Sequence, residues 1–238
     1  MAALTLLIHT PTYILLGFFY TIRNSTIVTA AVVSVVANAL PWYALRDLSP
    51  SHTPRHAHSK ASLRNRPILT DPWTTIATSL LSTTIFTVIL EAAFVSFLPT
   101  FAITRFSTIR SLVFAHGGAA AVPPLVLALI LPGYACTEYL FTPSTAATPF
   151  TAPDFDPSTS TFAEHLYWNV WGWYSARQRT LIFRAALLGA LMFAETVVYL
   201  AVAMEGVELS GALGYSSIWA VGVAVVGVAL DWVGGPSD

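Results

Sequence analysis

The sequence has few charges and one cysteine. Charged residues make up 10 % of its 238 residues, whereas soluble domains carry about 25 %. Its 11 basic and 12 acidic residues nearly balance, so no positive excess is available to attract nucleic acid. The single Cys136 excludes an intrachain disulfide and a cage of several thiolates, and we expect its thiol to be buried and inert. These shortages argue against a water-soluble globule, a nucleic-acid-binding protein and a disulfide scaffold.

Recognisable catalytic motifs are also missing. The sequence contains no phosphate-binding Walker loop, no dinucleotide-binding glycine pattern, no serine nucleophile elbow and no zinc-protease motif. It has no closely spaced aspartate pair and no polar stretch long enough to form a separate soluble domain with an active site. We therefore predict no cofactor and no metal, and the sequence leaves enzymatic activity open while favouring a non-enzyme.

Long apolar stretches are abundant instead. Apolar residues make up 55 % of the chain, the mean hydropathy is +0.66, and a membrane-spanning helix needs about 20 apolar residues. The pattern predicts an all-α polytopic integral membrane protein with about six transmembrane helices in three hairpins plus one amphipathic interfacial helix. The predicted spans are 3–22, 26–45, 73–98, 111–134, 181–204 and 212–233.

The spans divide the chain into five segments. We predict a first transmembrane hairpin over 1–45, a basic loop over 46–71, a second hairpin over 72–136, a polar linker with an amphipathic Trp-rich helix over 137–179, and a third hairpin with a short tail over 180–238. Pro11 and Pro41 make the first two spans imperfect helices. The first apolar run lacks a basic leader and a clear cleavage site, so we expect it to be retained.

The basic loop predicts the orientation in the membrane. It holds five of the 11 basic residues, and positively charged loops stay on the cytoplasmic or matrix side. Six spans then place both termini on that side. The same loop carries three histidines that could bind a metal, but without nearby carboxylates or thiolates a solvated loop touching anionic lipid is favoured. These histidines are His52, His56 and His58.

Two local patterns mark helix features. Asp71-Pro72 is a strong helix start, because Asp caps free amides and Pro is tolerated in the first turn. Within the fourth predicted span, Gly117-Gly118 and Pro123-Pro124 predict a kink. A broken helix of this kind also marks binding sites in many transporters, but prolines are common in membrane helices, so we favour a structural kink.

An amphipathic helix is predicted ahead of the fifth span. Thr161 and Glu164 have the spacing of a capping box, and the apolar residues that follow form one helical stripe, with Trp168 and Trp173 beside it. The composition favours a helix lying in the lipid headgroup layer, and a protein-docking helix is the alternative. The stripe consists of Phe162, Leu166, Tyr167, Val170, Trp171 and Tyr174.

Small residues recur at helical spacing in the last two spans. Such residues let helix backbones approach closely, which is the usual basis of helix packing in lipid. We therefore predict that these two helices pack on each other. The residues are Ala186, Ala190 and Ala194 in the fifth span and Ala220, Ala224 and Gly227 in the sixth.

A few ionisable residues fall inside the spans, where each costs free energy and requires a reason. Glu91, Glu195 and His116 lie at similar depth, in the half away from the basic loop. They predict a candidate polar site that binds a proton, a cation or a polar head group, with Thr83 and Thr87 in its wall. The alternative, which we favour, is structural: each acid pairs with a neighbouring group, and the hydroxyls bond back to their own helix.

Three functions remain open. The favoured hypothesis is a non-enzymatic membrane component that packs with other membrane proteins, or with copies of itself, in an assembly. The second is a transporter or channel for protons, cations or a small polar solute that uses Glu91 and Glu195. The third is a lipid-modifying enzyme with His116 or a glutamate as base. The span lengths favour an internal eukaryotic membrane, of endoplasmic-reticulum type or mitochondrial.

Overall fold

A computed structural model describes residues 2–45, 71–141, 155–172 and 174–234. The described residues form helices and turns, with one isolated bridge between Phe106 and Val207. The basic loop, with His52, His56 and His58, lies outside the described residues, as does Trp173. The α-helices are α1 Ala2–Phe18, α2 Asn24–Leu45, α3 Pro72–Ser96, α4 Leu98–Arg105, α5 Val122–Leu140, α6 Phe162–Tyr167, α7 Ala176–Val198 and α8 Leu209–Val233.

Five helical segments are long and apolar enough to cross a membrane, which agrees with the predicted all-helical membrane class. The helix of the first predicted span is shorter, at 17 residues, so the sixth crossing stays a prediction. The helix of α7 continues as a wider π-turn over Tyr199–Ala203. The five long segments are Asn24–Leu45, Pro72–Ser96, Val122–Leu140, Arg177–Ala203 and Leu209–Val233.

The predicted position of the fourth span is wrong. Residues 111–121 form a loop with one 3₁₀ turn, and the helix begins at Val122 and continues to Leu140. The physical reason is the Pro123-Pro124 pair, which occupies the first turn of α5, where the missing backbone N–H groups would have had no helical partner. The proline pair is therefore a helix start, and the predicted kink is absent from this point of the described chain.

The predicted start of α3 is confirmed. The backbone N–H of Thr74 donates to the Asp71 carboxylate at 2.8 Å, and Pro72 is the first helical residue. Hydrogen bonds from the Thr74 side chain and backbone lower the pKa of the Asp71 carboxyl. The local sequence thus caps the helix by the mechanism expected of an Asp-Pro pair.

The helices form a bundle in which α3 packs on α5, α7 packs on α8, and α1 contacts α2, α5 and α7. The core is apolar, and several of the packed helices contribute buried side chains to it, among them Leu7 of α1, Phe86 of α3, Leu98 of α4, Leu125 of α5, Leu188 of α7 and Trp219 of α8. Helix α2 differs from the other long helices, because it has no buried residue and packs mainly on α1.

Hydroxyl groups line the contact between α3 and α5. Ser82 and Thr137 are buried, and their hydroxyl oxygens lie 2.9 Å apart. Gly133 lies against Thr83, where an added Cβ would come within 2.9 Å of the Thr83 backbone nitrogen. The two helices therefore approach through one glycine and a chain of short polar side chains, a common solution where lipid removes the hydrophobic driving force.

Candidate functional site

A groove runs along the outer surface between α7 and α8. Its volume is about 670 Å³, and most of its walls are alanine, glycine and short aliphatic side chains. Ala186, Ala190 and Ala224 are exposed within it. The lining residues are Tyr174, Leu181, Ile182, Ala185, Ala186, Gly189, Ala190, Ala220, Ala224, Gly227, Val228 and Asp231.

Glycines on α7 and α8 contact the facing helix beside the predicted alanine face. A Cβ added at Gly189 would lie 3.7 Å from the Ala220 carbonyl, and one added at Gly227 would lie 3.0 Å from the Ala185 Cβ. Gly189 and Ala185 were absent from the predicted set, although each is one position before a predicted alanine. Ala186 and Ala190 line the groove, whereas Ala194 is exposed and outside its lining.

One end of the groove is polar. The Gln178 side chain donates to the Asp231 carboxylate at 3.0 Å, and the Arg177 guanidinium donates to the Gly234 carbonyl at 2.5 Å. Arg177 thereby satisfies a carbonyl at the C-terminus of α8, where cations are favoured. The second carboxylate oxygen of Asp231 is inaccessible and has no partner among the described residues.

An ionisable pair joins α1 to the membrane-spanning segment of α7. The His9 Nδ1 lies 3.3 Å from the Glu195 Oε1, and the two side chains are 29 % and 36 % exposed. One helical turn further, the Tyr13 hydroxyl donates to the Ser34 hydroxyl of α2 at 3.2 Å. The sequence pattern predicted Glu195 as a site residue but did not single out His9. A histidine and a tyrosine four residues apart share one helix face, and that spacing was the available signal.

The three predicted polar residues lie on α3, on α7 and in the loop before α5. Glu91 lies near the end of α3, and its inaccessible Oε2 has no partner among the described residues. His116 lies in the exposed loop before α5, with its Nδ1 2.9 Å from the Leu112 carbonyl. No hydrogen bond or ion pair in the described part of the chain joins Glu91, Glu195 and His116, so their role as one site stays a prediction.

The predicted polar wall is bonded within its own helix. The Thr83 hydroxyl donates to the Ser79 carbonyl at 2.8 Å, and the Thr87 hydroxyl donates to the Thr83 carbonyl at 2.8 Å. Both threonines are buried. This back-bonding is common for Ser and Thr in membrane helices, so these hydroxyls already have partners without any ligand.

The segment from Phe162 to Gly172 is helical, with a π-turn in its second half. The capping box of Thr161 and Glu164 is confirmed, and the Thr161 backbone N–H is the largest cause that lowers the pKa of the Glu164 carboxyl. On the far face, the Trp168 ring stacks on Phe155 at 4.8 Å. Most of the predicted apolar stripe faces outward, with exposures of 84 % for Phe162, 55 % for Leu166, 53 % for Tyr167, 61 % for Val170 and 39 % for Tyr174, and Trp171 is half-buried.

One family model covers most of this architecture. The model described as Bouquet formation protein 3 C-terminal domain matches residues 71–233. The chain belongs to this family. The matched segment contains α3 to α8, the groove and Glu195, whereas α1 and α2 precede it. No curated protein and no solved structure matches the chain.

Proposed function

We propose that this chain is a non-enzymatic integral membrane component of the nuclear envelope that packs with other membrane proteins in an assembly. The family carries the name of bouquet formation, which supports a place in this membrane, continuous with the endoplasmic reticulum. The observation that carries the proposal is the small-residue groove between α7 and α8, which lies within the matched segment. We propose this groove as the seat of a partner's transmembrane helix.

The physics of helix association in lipid supports this use of the groove. Lipid tails are as apolar as the helices, so association depends on close packing, and alanine and glycine allow it. The exposed Ala186, Ala190 and Ala224 present such a surface. A partner helix would fill the groove with its larger side chains and bring its backbone close to both α7 and α8.

The amphipathic segment supports a location at the membrane surface. Phe162, Leu166 and Val170 are exposed on one side, whereas Trp168 packs on Phe155 on the other. An apolar stripe of this kind inserts into the boundary between headgroups and acyl chains. We propose that it anchors the segment before α7 and so holds the groove at a constant depth.

The two alternative functions have less support. The transporter hypothesis needs Glu91 and Glu195 to act together, but Glu195 is paired with His9, and the family match gives transport no support. The enzyme hypothesis depends on His116 at the depth of the glutamates, and His116 lies in an exposed loop. An assembly role requires neither that Glu91 and Glu195 act together nor that His116 lies at their depth.

Filling the groove tests the proposed function. We expect the double variant Ala190→Leu with Ala224→Leu to lose its co-purifying membrane proteins at least about fivefold, because the new side chains occupy the space of the partner helix. The measurement is quantitative mass spectrometry after mild-detergent purification of the full chain from its own membrane. Ala92→Leu is the matched control, because Ala92 is exposed on α3, away from the groove.

Two outcomes would contradict the proposal. The first is a wild-type chain that elutes as a monodisperse monomer without partners. The second is an unchanged set of partners after the groove has been filled. A loss of partners in Ala92→Leu as well would assign the effect to general destabilisation, against the groove.

Cysteine labelling tests the proposed orientation, in which the basic loop faces the cytoplasm. With the buried Cys136 replaced by alanine, a cysteine is introduced at Ser107 or at Ser158, two exposed positions at opposite ends of the bundle. We expect an impermeant maleimide, applied from the cytoplasmic side, to label Ser158→Cys and to label Ser107→Cys only after full permeabilisation. The reverse pattern would invert the orientation.

A further inference from the structure

We propose that the His9–Glu195 pair, together with Asn38, forms an intramembrane docking point for a lysine or arginine carried by a partner's transmembrane helix. The inference rests on the proposed assembly function and adds the chemistry of a second contact. This contact lies on the side of α7 that faces α1, whereas the groove lies on the side that faces α8.

His9 and Glu195 both lie well inside their helices. His9 lies nine residues before Phe18, the end of α1, and Glu195 lies eight residues before Ala203. At 1.5 Å per residue these separations are about 14 Å and about 12 Å. With α1 as the predicted sixth crossing, both side chains lie near the middle of a bilayer core of about 30 Å. Ionisable residues at this depth are rare and are almost always paired or turned toward an interior.

The His9–Glu195 pair is only partly buried. The His9 and Glu195 side chains stay 29 % and 36 % exposed, so the described helices do not enclose them. The His9 Nε2 and the Glu195 Oε2 have no hydrogen-bond partner in the described parts of the chain. A pair built only to join α1 to α7 would not need to present these atoms to the outside.

The glutamates of this region lack a strongly basic partner among the described residues. Neither Glu195 nor Glu91 contacts a lysine or arginine among the described residues. The Arg105 guanidinium, at the end of α4, pairs instead with the Glu208 carboxylate, and the nitrogen and oxygen lie 2.7 Å apart. Among the described residues, the Glu195 carboxylate therefore has only the His9 imidazole opposite it, and its charge complement is a basic side chain on another helix.

Asn38 of α2 provides a further polar group at the level of the pair. Helix α2 runs antiparallel to α1, because Ile27 lies against Gly17 and Ser34 bonds to Tyr13. Asn38 lies four residues after Ser34 and therefore on the same face of α2. Because the helices are antiparallel, Asn38 lies at the level of His9, which is four residues before Tyr13. Asn38 is exposed and donates to the Ser34 carbonyl at 2.8 Å, which leaves its amide oxygen as an acceptor.

The geometry points to a cation as the group that these atoms receive. A carboxylate oxygen and an amide oxygen both accept hydrogen bonds from an ammonium or a guanidinium. Polar side chains that bond across helices stabilise transmembrane association. The partner is therefore a transmembrane helix with one basic residue near its centre.

Synthetic helices test this chemistry without the natural partner. The full chain is reconstituted in phosphatidylcholine liposomes with a fluorescent Leu/Ala peptide of about 20 residues that carries one central lysine, or a leucine at that position. We expect energy transfer to report about fivefold or tighter association of the lysine peptide. Glu195→Gln removes this preference, whereas the matched Glu91→Gln preserves it.

Two further variants keep the test decisive. In Glu195→Lys, a peptide with a central glutamate should replace the lysine peptide as the preferred binder. Asn38→Leu, at an exposed position, should weaken the lysine preference even if the Glu195 variants unfold. Equal association of the lysine and leucine peptides with the wild-type chain would overturn the inference, and so would a lysine preference that survives Glu195→Gln in a folded chain.

The outcome is separable from that of the proposed function. If the lysine preference is absent but filling the groove removes the natural partners, the inference falls and the assembly function stands. If the lysine peptide binds through Glu195 but the wild-type chain recovers no membrane partner, the assembly function falls and the docking chemistry stands.

Discussion

Replacing Gly133 with valine is expected to destabilise the bundle by about 3 kcal/mol, at the upper end of overpacking costs. A Cβ at this position would overlap the Thr83 hydroxyl and lie within 3.0 Å of the Thr83 Cα. Because Thr83 backbone atoms are part of the clash, a change of rotamer cannot relieve it, and α3 must move away from α5. The measurement is the free energy of unfolding in mixed micelles titrated with a denaturing detergent.

Gly189→Ala provides the matched control for this prediction. Its Cβ would meet Ala220 and Val223 at 3.7 to 4.0 Å, which are ordinary van der Waals distances. We expect a change within about 0.5 kcal/mol, the usual range for a substitution that breaks no special feature. Equal unfolding midpoints for Gly133→Val and the wild-type chain would show that α3 and α5 do not approach as described.

Replacing Trp219 with alanine is the second change with a large expected effect. Trp219 is 1 % exposed and lies between Phe86 and Tyr215, with ring centroids 6.0 and 6.4 Å away. Its removal opens a cavity, and we expect a loss of about 3 kcal/mol. In lipid the unfolded helices keep apolar surface out of water, so lost packing is the main cause. Detergent titration measures this loss as well.

Trp219→Phe separates packing from hydrogen bonding at the same position. The indole N–H of Trp219 is inaccessible to solvent, so phenylalanine removes a buried donor while keeping most of the ring volume. We expect a loss of about 1 kcal/mol or less. Trp232→Ala, at an 84 % exposed position, is the control for removing a tryptophan. Similar losses for the two Trp219 variants would refute the packing argument.

The sequence predicted the start of a helix correctly where a side chain caps its first turn. Asp71 and Thr161 both cap helices at the expected residues, because capping depends on neighbours within one turn. The fourth span failed because a proline pair is compatible with a kink inside a helix and with its first turn. The choice between them depends on where the bundle can bury the helix, which is a tertiary property.

The candidate sites were less predictable because they depend on which helices become neighbours. Glu195 was selected because a buried acid is costly, but its partner His9 lies in a distant span, and no spacing rule connects them. The small residues predicted a contact between the last two spans without indicating which positions would touch. Gly227 lies tightly against Ala185, whereas Ala190 is exposed in the groove.

Two side-chain links hold α7 and α8 together at the polar end of the groove. Near Asp231, α7 and α8 are tied by the Gln178–Asp231 and Arg177–Gly234 hydrogen bonds, so they separate only if both links break. Near Gly189 and Ala220 the helices are held by van der Waals contacts alone at the positions that line the groove. The hairpin is therefore tied at both ends, by these hydrogen bonds at one end and by the chain connection 204–208 at the other, so a helix that enters the groove separates α7 and α8 between the two ties.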